Sequence, residues 1–291
     1  WDGQDHIEEV FSCFTLADNQ DPDLGKLLFR RWLISAVKLA FNERGDVHAQ
    51  GIFTLQGAQG IGKTLFLSKL MPDQSFFAEG MSLDPRNKDD VLKVTRYWIV
   101  ELGEFGETLR RDKLDALKSF VTSPRDIYRK PYGRFTEDEP RRTAFFATVN
   151  DEQFLKDPTG DRRYWVLGVK AVDLDRPLNI CQLWGQIAHL ALVENEPHYL
   201  TGVEIADLNE SNKRFSEKAA EERVLLDMLD WETPTEKWSY QTATELCYLL
   251  NYQPGYATRM SKAIRQLAKE DARIKLPTNN MRKVYLLPPV K

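Results

Sequence analysis

The sequence predicts an α/β fold: a parallel sheet flanked by helices, with a helical segment before it and a small helical unit after it. Three observations carry this. Short apolar, β-prone runs occur at residues 51–55, 97–100 and 144–149, helical stretches separate them, and three further helical stretches followed by two short β-like pieces close the chain. Alternating strands and helices call for a parallel sheet, because parallel neighbours need a crossover connection.

Each element has its own warrant. Over residues 24–41, Leu27, Leu28, Trp32, Leu33, Ala36, Val37 and Ala40 recur at spacings of three and four, which predicts an amphipathic helix packed on the domain that follows. Residues 51–55 form a strand that ends in a glycine loop, and 64–70 form a helix. The runs at 97–100 and 144–149 read as buried strands. Between them 109–121 is helical, followed by a Pro- and Arg-rich stretch, 123–142. Residues 179–195 read as a helix, as does a polar stretch at 205–223. Helices at 221–230, 241–250 and 257–269 then precede β-like pieces at 273–276 and 283–287, with Asn279-Asn280 as the turn. Three helices followed by a hairpin is the order of a winged helix. The expected division is residues 1–48 as an N-terminal helical segment, 49–205 as the core and 206–291 as a C-terminal winged-helix-like domain.

Composition excludes several classes. With 291 residues, 42% hydrophobic and 29% charged, the chain is neither disordered, collagenous nor a disulfide scaffold. No apolar run approaches the roughly 18 to 20 residues that span a bilayer, and no signal peptide opens the chain, so a soluble, cytoplasmic protein with no membrane partner is expected. Cys13, Cys181 and Cys247 lie far apart, which predicts reduced thiols, no disulfide and no zinc site. Net charge is −4, yet residues 254–291 hold nine Lys or Arg against two acids. The C-terminal end is a basic patch on an acidic chain.

Residues 57–64, Gly-Ala-Gln-Gly-Ile-Gly-Lys-Thr, match GxxxxGK[ST] between a strand and a helix. Glycines let such a loop curl until its N–H groups face phosphates, and the helix that follows adds its positive end. Gly57, Gly60, Ile61, Gly62, Lys63, Thr64 and Leu65 are therefore the expected nucleotide-binding residues. Lys63 reaches the β- and γ-phosphates of ATP, and the Thr64 hydroxyl binds Mg²⁺. A P-loop also needs an acid where a neighbouring strand emerges. Trp98-Ile99-Val100-Glu101 supplies it, making Glu101 the metal-side acid. Glu104 is a further candidate for positioning or activating water; its alternative is a helix cap or a surface ion pair. Asn150 ends the run Phe145-Phe146-Ala147-Thr148-Val149 and is placed to hydrogen-bond the attacking water or the γ-phosphate, the alternative being a cap for a following helix. Arg162-Arg163 sits in a turn before a strand, and arginine suits the charge on a transferring phosphoryl group, often from a neighbouring subunit. A solvated surface pair is the plainer alternative.

Cations and aromatic rings are interleaved from Arg125 to Arg134, with Arg141 and Arg142 behind. Bases stack on rings while Arg and Lys follow phosphates, so Arg129, Lys130, Tyr132 and Arg134 read as a hairpin for single-stranded DNA, or else as a charged surface hairpin. On the helix at 257–269, Met260, Ile264 and Leu267 form one face while Arg259, Lys262, Arg265 and Lys269 form another. A recognition helix offers cations to phosphates in this way, the alternative being a solvated basic face or a subunit contact.

The order and spacing of these motifs resemble the superfamily III helicases of viruses, phages and plasmids, a branch of the AAA+ ATPases. More specifically the chain resembles the virulence-associated protein E family of phages and pathogenicity islands. The likeness rests on residues 57–64, 98–104, 117–120, 129–134, 145–150 and 159–165, and covers about residues 24–200. The resemblance implies an AAA+ type P-loop sheet and a magnesium-dependent ATPase that acts as a DNA helicase in phage or mobile-element replication, in a bacterial host cell. It makes Lys63 and Thr64 the Walker A pair, Glu101 the Walker B acid, Asn150 the sensor, and Arg162 and Arg163 a finger across a subunit interface. Lys118 and residues 126–134 fall where the DNA-gripping pore hairpin lies. It further implies a homo-oligomeric ring, a hexamer, on single-stranded DNA or a forked duplex, with a primase domain or partner upstream. Since the chain begins at Trp1, it is expected to be an excised helicase part or a stand-alone protein. Competing expectations are a P-loop kinase or packaging-type ATPase, and a nucleotide-gated DNA-binding or origin-recognition protein with little turnover.

Overall fold

The computed structural model of the chain describes residues 1–103, 111–128, 134–155, 161–216, 220–277 and 284–291, with the side chains of 111–115 and 161 left aside. The chain divides into two compact units, Trp1–Ser216 and Glu217–Lys291.

The first unit contains, in chain order, α1 (His6–Phe11), β1 (Phe14–Leu16), α2 (Pro22–Ala40), β2 (Ile52–Gln56), α3 (Lys63–Lys69), β3 (Phe77–Met81), α4 (Lys88–Val94), β4 (Ile99–Leu102), α5 (Arg111–Val121), β5 (Arg125–Tyr128), β6 (Glu137–Pro140), β7 (Ala144–Val149), β8 (Tyr164–Val172), α6 (Ile180–Ala188) and α7 (Gly202–Asn212). Six strands form one sheet in the order β1-β8-β2-β7-β4-β3. All its neighbours run parallel except β1, which pairs antiparallel with β8 at the edge. This is the helix-flanked, mostly parallel sheet expected.

The sheet is covered on both faces, which explains its unbroken apolar strands. On one face Phe53 and Leu55 of β2, Phe146 of β7 and Trp165 and Leu167 of β8 pack with Leu28, Phe29, Trp32 and Leu33 of α2 and Phe66 of α3. On the other face Ile52, Val100, Phe145, Ala147, Tyr164 and Val166 pack with Leu117 and Phe215. Adjacent Phe145 and Phe146 point to opposite faces, as the pleat requires. Asp21 caps α2 by accepting from the N–H groups of Asp23 and Leu24, and Pro22 opens the helix. Indole N–H groups then pin the helix to the sheet: Trp32 donates to the Phe145 carbonyl at 2.9 Å and Trp98 to that of Ala36 at 2.8 Å.

Residues 1–48 therefore form no separate segment, since β1 is a strand of the sheet and α2 fills its core. The division also falls after Ser216 rather than at 205/206. Asn212 Nδ2 donates 2.8 Å to the Tyr164 carbonyl, and the Phe215 carbonyl accepts from both Phe154 and Leu155. The same ties break the expected helix over 205–223 in two, because Phe215 leaves the helical path to enter the core. Beyond α6 the chain takes a π turn at His189–Val193.

The second unit contains α8 (Ala220–Met228), β9 (Ser239–Thr242), α9 (Ala243–Leu249), α10 (Ala257–Glu270) and β10 (Val284–Leu287) around Leu225, Trp238, Leu246, Cys247, Met260, Ile264, Leu267 and Tyr285. Thr242 and Glu245 form a reciprocal capping box at the start of α9. The expected hairpin takes another form. β10 pairs antiparallel with β9, while residues 273–276 form no strand and meet it through a bond from Leu286 N–H to the Lys275 carbonyl, 3.2 Å. The Asn279-Asn280 turn lies outside the described residues. Among the described residues no helix is long and apolar enough to cross a membrane.

Candidate functional site

The glycine loop, residues 57–62, leaves the C-terminal end of β2, where Gly57 N–H donates 3.0 Å to the Val149 carbonyl of neighbouring β7. Its tight course needs glycine. Gly60 and Gly62 sit at φ of 84° and 87°, and a Cβ on Gly57 would lie 2.3 Å from the Val169 carbonyl oxygen. Ile61 is half-buried within the loop and Leu65 is exposed on α3.

Lys63 is buried, and its ammonium donates to the Gly57 and Ala58 carbonyls at 2.7 and 2.8 Å and to Asn150 Oδ1 at 3.0 Å. Burial lowers its pKa from the ordinary lysine value, and the Glu101 charge opposes that shift. Thr64 Oγ1 donates to Glu101 Oε1 at 2.6 Å, and Thr148 Oγ1 donates to the same oxygen at 2.7 Å. The other oxygen, Oε2, accepts the Gly80 N–H at 3.1 Å. The adjacent Lys63 and Thr64 thus converge with the distant Glu101 and Asn150 at one edge of the sheet. These are the ends of β2, β4 and β7, where parallel sheets place their ligands. Thr148 and Gly80 belong to the same cluster and were not anticipated. Thr148 lies two residues before Asn150, hence on the same strand face, and that period-two relation was a usable signal; Gly80 had none.

Other expected residues lie elsewhere. Arg162 is exposed and Arg163 half-buried in the turn Asp161–Arg163 before β8. Since Tyr164 pairs with Ile52 and Gly168 with Gln56, that turn lies at the opposite edge of the sheet from the glycine loop, about four residues or roughly 13 Å along the strands. Glu104, Arg129, Lys130 and Tyr132 lie outside the described residues. β5 and β6 do form an antiparallel pair, and Arg134 is exposed between them. Lys118 is half-buried on α5.

Two cations of the stretch are structural. Arg125 Nε donates 2.6 Å to Asp138 on the acidic return strand, Glu137–Pro140. Arg141 is fully buried, with its Nε 2.9 Å from Asp126 Oδ1, and it also donates to the Phe120 and Val121 carbonyls. In the second unit Arg259, Lys262 and Arg265 are exposed along α10, with the Arg259 guanidinium 5.4 Å from the Tyr256 ring centroid.

A family model described as Virulence-associated protein E-like domain matches residues 1–217. The chain belongs to this family. The Virulence-associated protein E-like domain thus coincides, within a residue, with the first compact unit, and Glu217–Lys291 follows it. No curated protein matches the sequence. Similar solved structures include the apo structure of the NrS-1 C-terminal region (305–718), 14% identical with a TM-score of 0.43 over 98% of this chain and 75% of that one. The A form of the same apo region is 13% identical with the same score and coverage. A third NrS-1 structure is 15% identical with a TM-score of 0.40, over 77% of this chain and 51% of that one.

Proposed function

We propose that the chain is an ATP-hydrolysing motor that acts on DNA during replication of a phage or other mobile element. The observation that carries the reading is the cluster at the C-terminal edge of the sheet. A buried ammonium, two hydroxyls, a buried carboxylate and an amide meet beside a loop too tight for any residue but glycine at position 57.

The donor set fits a magnesium nucleotide. Lys63 exchanges the loop carbonyls that hold it for phosphate oxygens, and the loop N–H groups bind the remaining ones. Thr64 and Glu101 offer hard oxygen donors, which suit Mg²⁺ through a few protein ligands with phosphates filling the rest. When bound, Mg²⁺ neutralises charge on the β- and γ-phosphates. Asn150, within 3.0 Å of Lys63, orients the attacking water or the γ-phosphate.

The arginine pair supports assembly. Standing at the far edge of the sheet, Arg162 and Arg163 serve the site of a second copy better than their own, as in a head-to-tail ring. β5 and β6 pair antiparallel, β6 carries Glu137, Asp138 and Glu139, and Arg134 is exposed between the two strands, so in this reading single-stranded DNA meets Arg134 rather than the acidic strand. The exposed cations of α10 follow phosphates of the same DNA.

The test is displacement of a labelled strand from a forked duplex by the purified chain with ATP and Mg²⁺. We expect displacement that needs ATP, is stimulated by a single-stranded tail and is lost in Lys63→Ala. Nucleotide binding with neither hydrolysis nor displacement on any DNA contradicts the motor.

A further inference from the structure

We propose that Thr148 is a positioning residue that, with the backbone of Gly80, clamps the Glu101 carboxylate in the orientation needed for magnesium-nucleotide binding. The inference rests on the nucleotide reading above and adds to it a residue that the motif does not contain.

Glu101 lies on β4 between β3 and β7, and each neighbour supplies one donor to a different carboxylate oxygen. From β7, Thr148 Oγ1 reaches Oε1 at 2.7 Å; from β3, Gly80 N–H reaches Oε2 at 3.1 Å. Two donors on two oxygens oppose rotation about the last side-chain bond. A one-residue bulge makes the second contact. β3 pairs Ala78 with Val100 and Met81 with Leu102, so an extra residue is accommodated between them, and Gly80 adopts a φ of 63°. A bulge removes an N–H from the ladder and re-aims it, in this case onto Glu101. Gly103 lets β4 approach, since a Cβ there would lie 2.7 Å from the Gly80 backbone.

The third donor is different in kind. Thr64 stands 2.6 Å from Oε1 on the helix that follows the glycine loop, and the nucleotide reading gives it to the metal. Each hydroxyl has one proton, and both are spent on Glu101. At 3.5 Å from each other the two hydroxyls compete poorly for those protons. Thr64 therefore keeps its lone pairs for a cation while Thr148 holds the same carboxylate oxygen from β7. Groups that hydrogen-bond a metal-ligating carboxylate fix its direction, and losing one typically weakens metal binding about 10- to 100-fold.

The test uses the full chain and its Thr148→Val and Thr148→Ser variants, with ADP binding followed by titration calorimetry in EDTA and across a Mg²⁺ series. We expect Thr148→Val to raise the Mg²⁺ concentration for half-maximal effect by about 10-fold or more while ADP affinity in EDTA and the melting temperature stay at wild-type values. Thr148→Ser restores the wild-type midpoint. An unshifted midpoint in Thr148→Val overturns the inference, as does an equal loss of metal-free affinity, which marks a structural role alone. A wild-type chain that binds no ADP overturns the nucleotide reading and this inference with it, whereas ADP binding that ignores Mg²⁺, or a responsive wild type beside an unshifted variant, overturns the inference only.

Discussion

Arg141 shows how far a residue's role can depart from its composition-level reading. Among arginines, lysines and tyrosines it looks like one more cation for nucleic acid, yet it is fully buried and its guanidinium grips Asp126, itself 3% exposed. It also stacks 4.0 Å from the Phe120 ring centroid and caps the carbonyls at the end of α5. Removing one partner of such a pair leaves a bare charge in a dry site, so Arg141→Ala is expected to destabilise the first unit by about 3–5 kcal/mol. Lysine does not replace it, because the planar fork serves several acceptors at once. Denaturant unfolding checks this, with the Asp126→Ala, Arg141→Ala double variant losing less than the sum of the single variants. Additive losses would show that the two side chains do not act as a pair.

At the scale of elements, α1 is held by a histidine between carboxylates. His6 Nε2 lies 3.0 Å from Asp2 and Nδ1 lies 3.1 Å from Glu9, so both ring nitrogens face acceptors, an arrangement that suits the doubly protonated ring. Burial works against that charge, but the bonds to Asp2 and Glu9 outweigh it and the pKa is raised. A raised folded-state pKa gives stability that is fully present below the unfolded value of about 6.5 and is lost as pH rises through the folded value. Hydrogen exchange of the α1 amides is therefore expected to quicken relative to the rest of the unit between pH 6 and pH 8, after correction for intrinsic rates. His6→Gln removes that dependence; a variant that retains it contradicts the account.

The elements also show what was legible in the chain. β2, β4 and β7 could be read from sequence because burial on both faces leaves apolar runs ending near the candidate site residues Gly57, Glu101 and Asn150. β6 could not. Glu-Asp-Glu-Pro has no strand propensity, and only pairing with β5 makes it extended. β1 was hidden for a related reason, being three residues defined by an edge pairing. Within the site, Lys63 and Thr64 were legible because a motif fixes their place, and Glu101 and Asn150 because each ends an apolar run. The Gly80 contact was not, since a bulge is created by the partner strand rather than by local sequence.

At the scale of the molecule, the proposed motor divides its chemistry between the two ends of the central sheet's parallel strands. Lys63, Thr64, Glu101 and Asn150 stand at the C-terminal ends of the parallel strands, and Arg162 and Arg163 stand before β8 at the other end. In a head-to-tail ring one copy's edge completes the next copy's site, so neither half works alone. Complementation tests this most directly. ATP hydrolysis with single-stranded DNA is measured for Lys63→Ala, for the Arg162→Ala, Arg163→Ala double variant, and for mixtures of the two. The ring predicts that each variant is inactive and that the mixture regains activity, since roughly one interface in four of a random 1:1 ring pairs an intact Lys63 with an intact arginine pair from its neighbour. Full activity in the arginine variant alone, or no recovery at any mixing ratio, would contradict it.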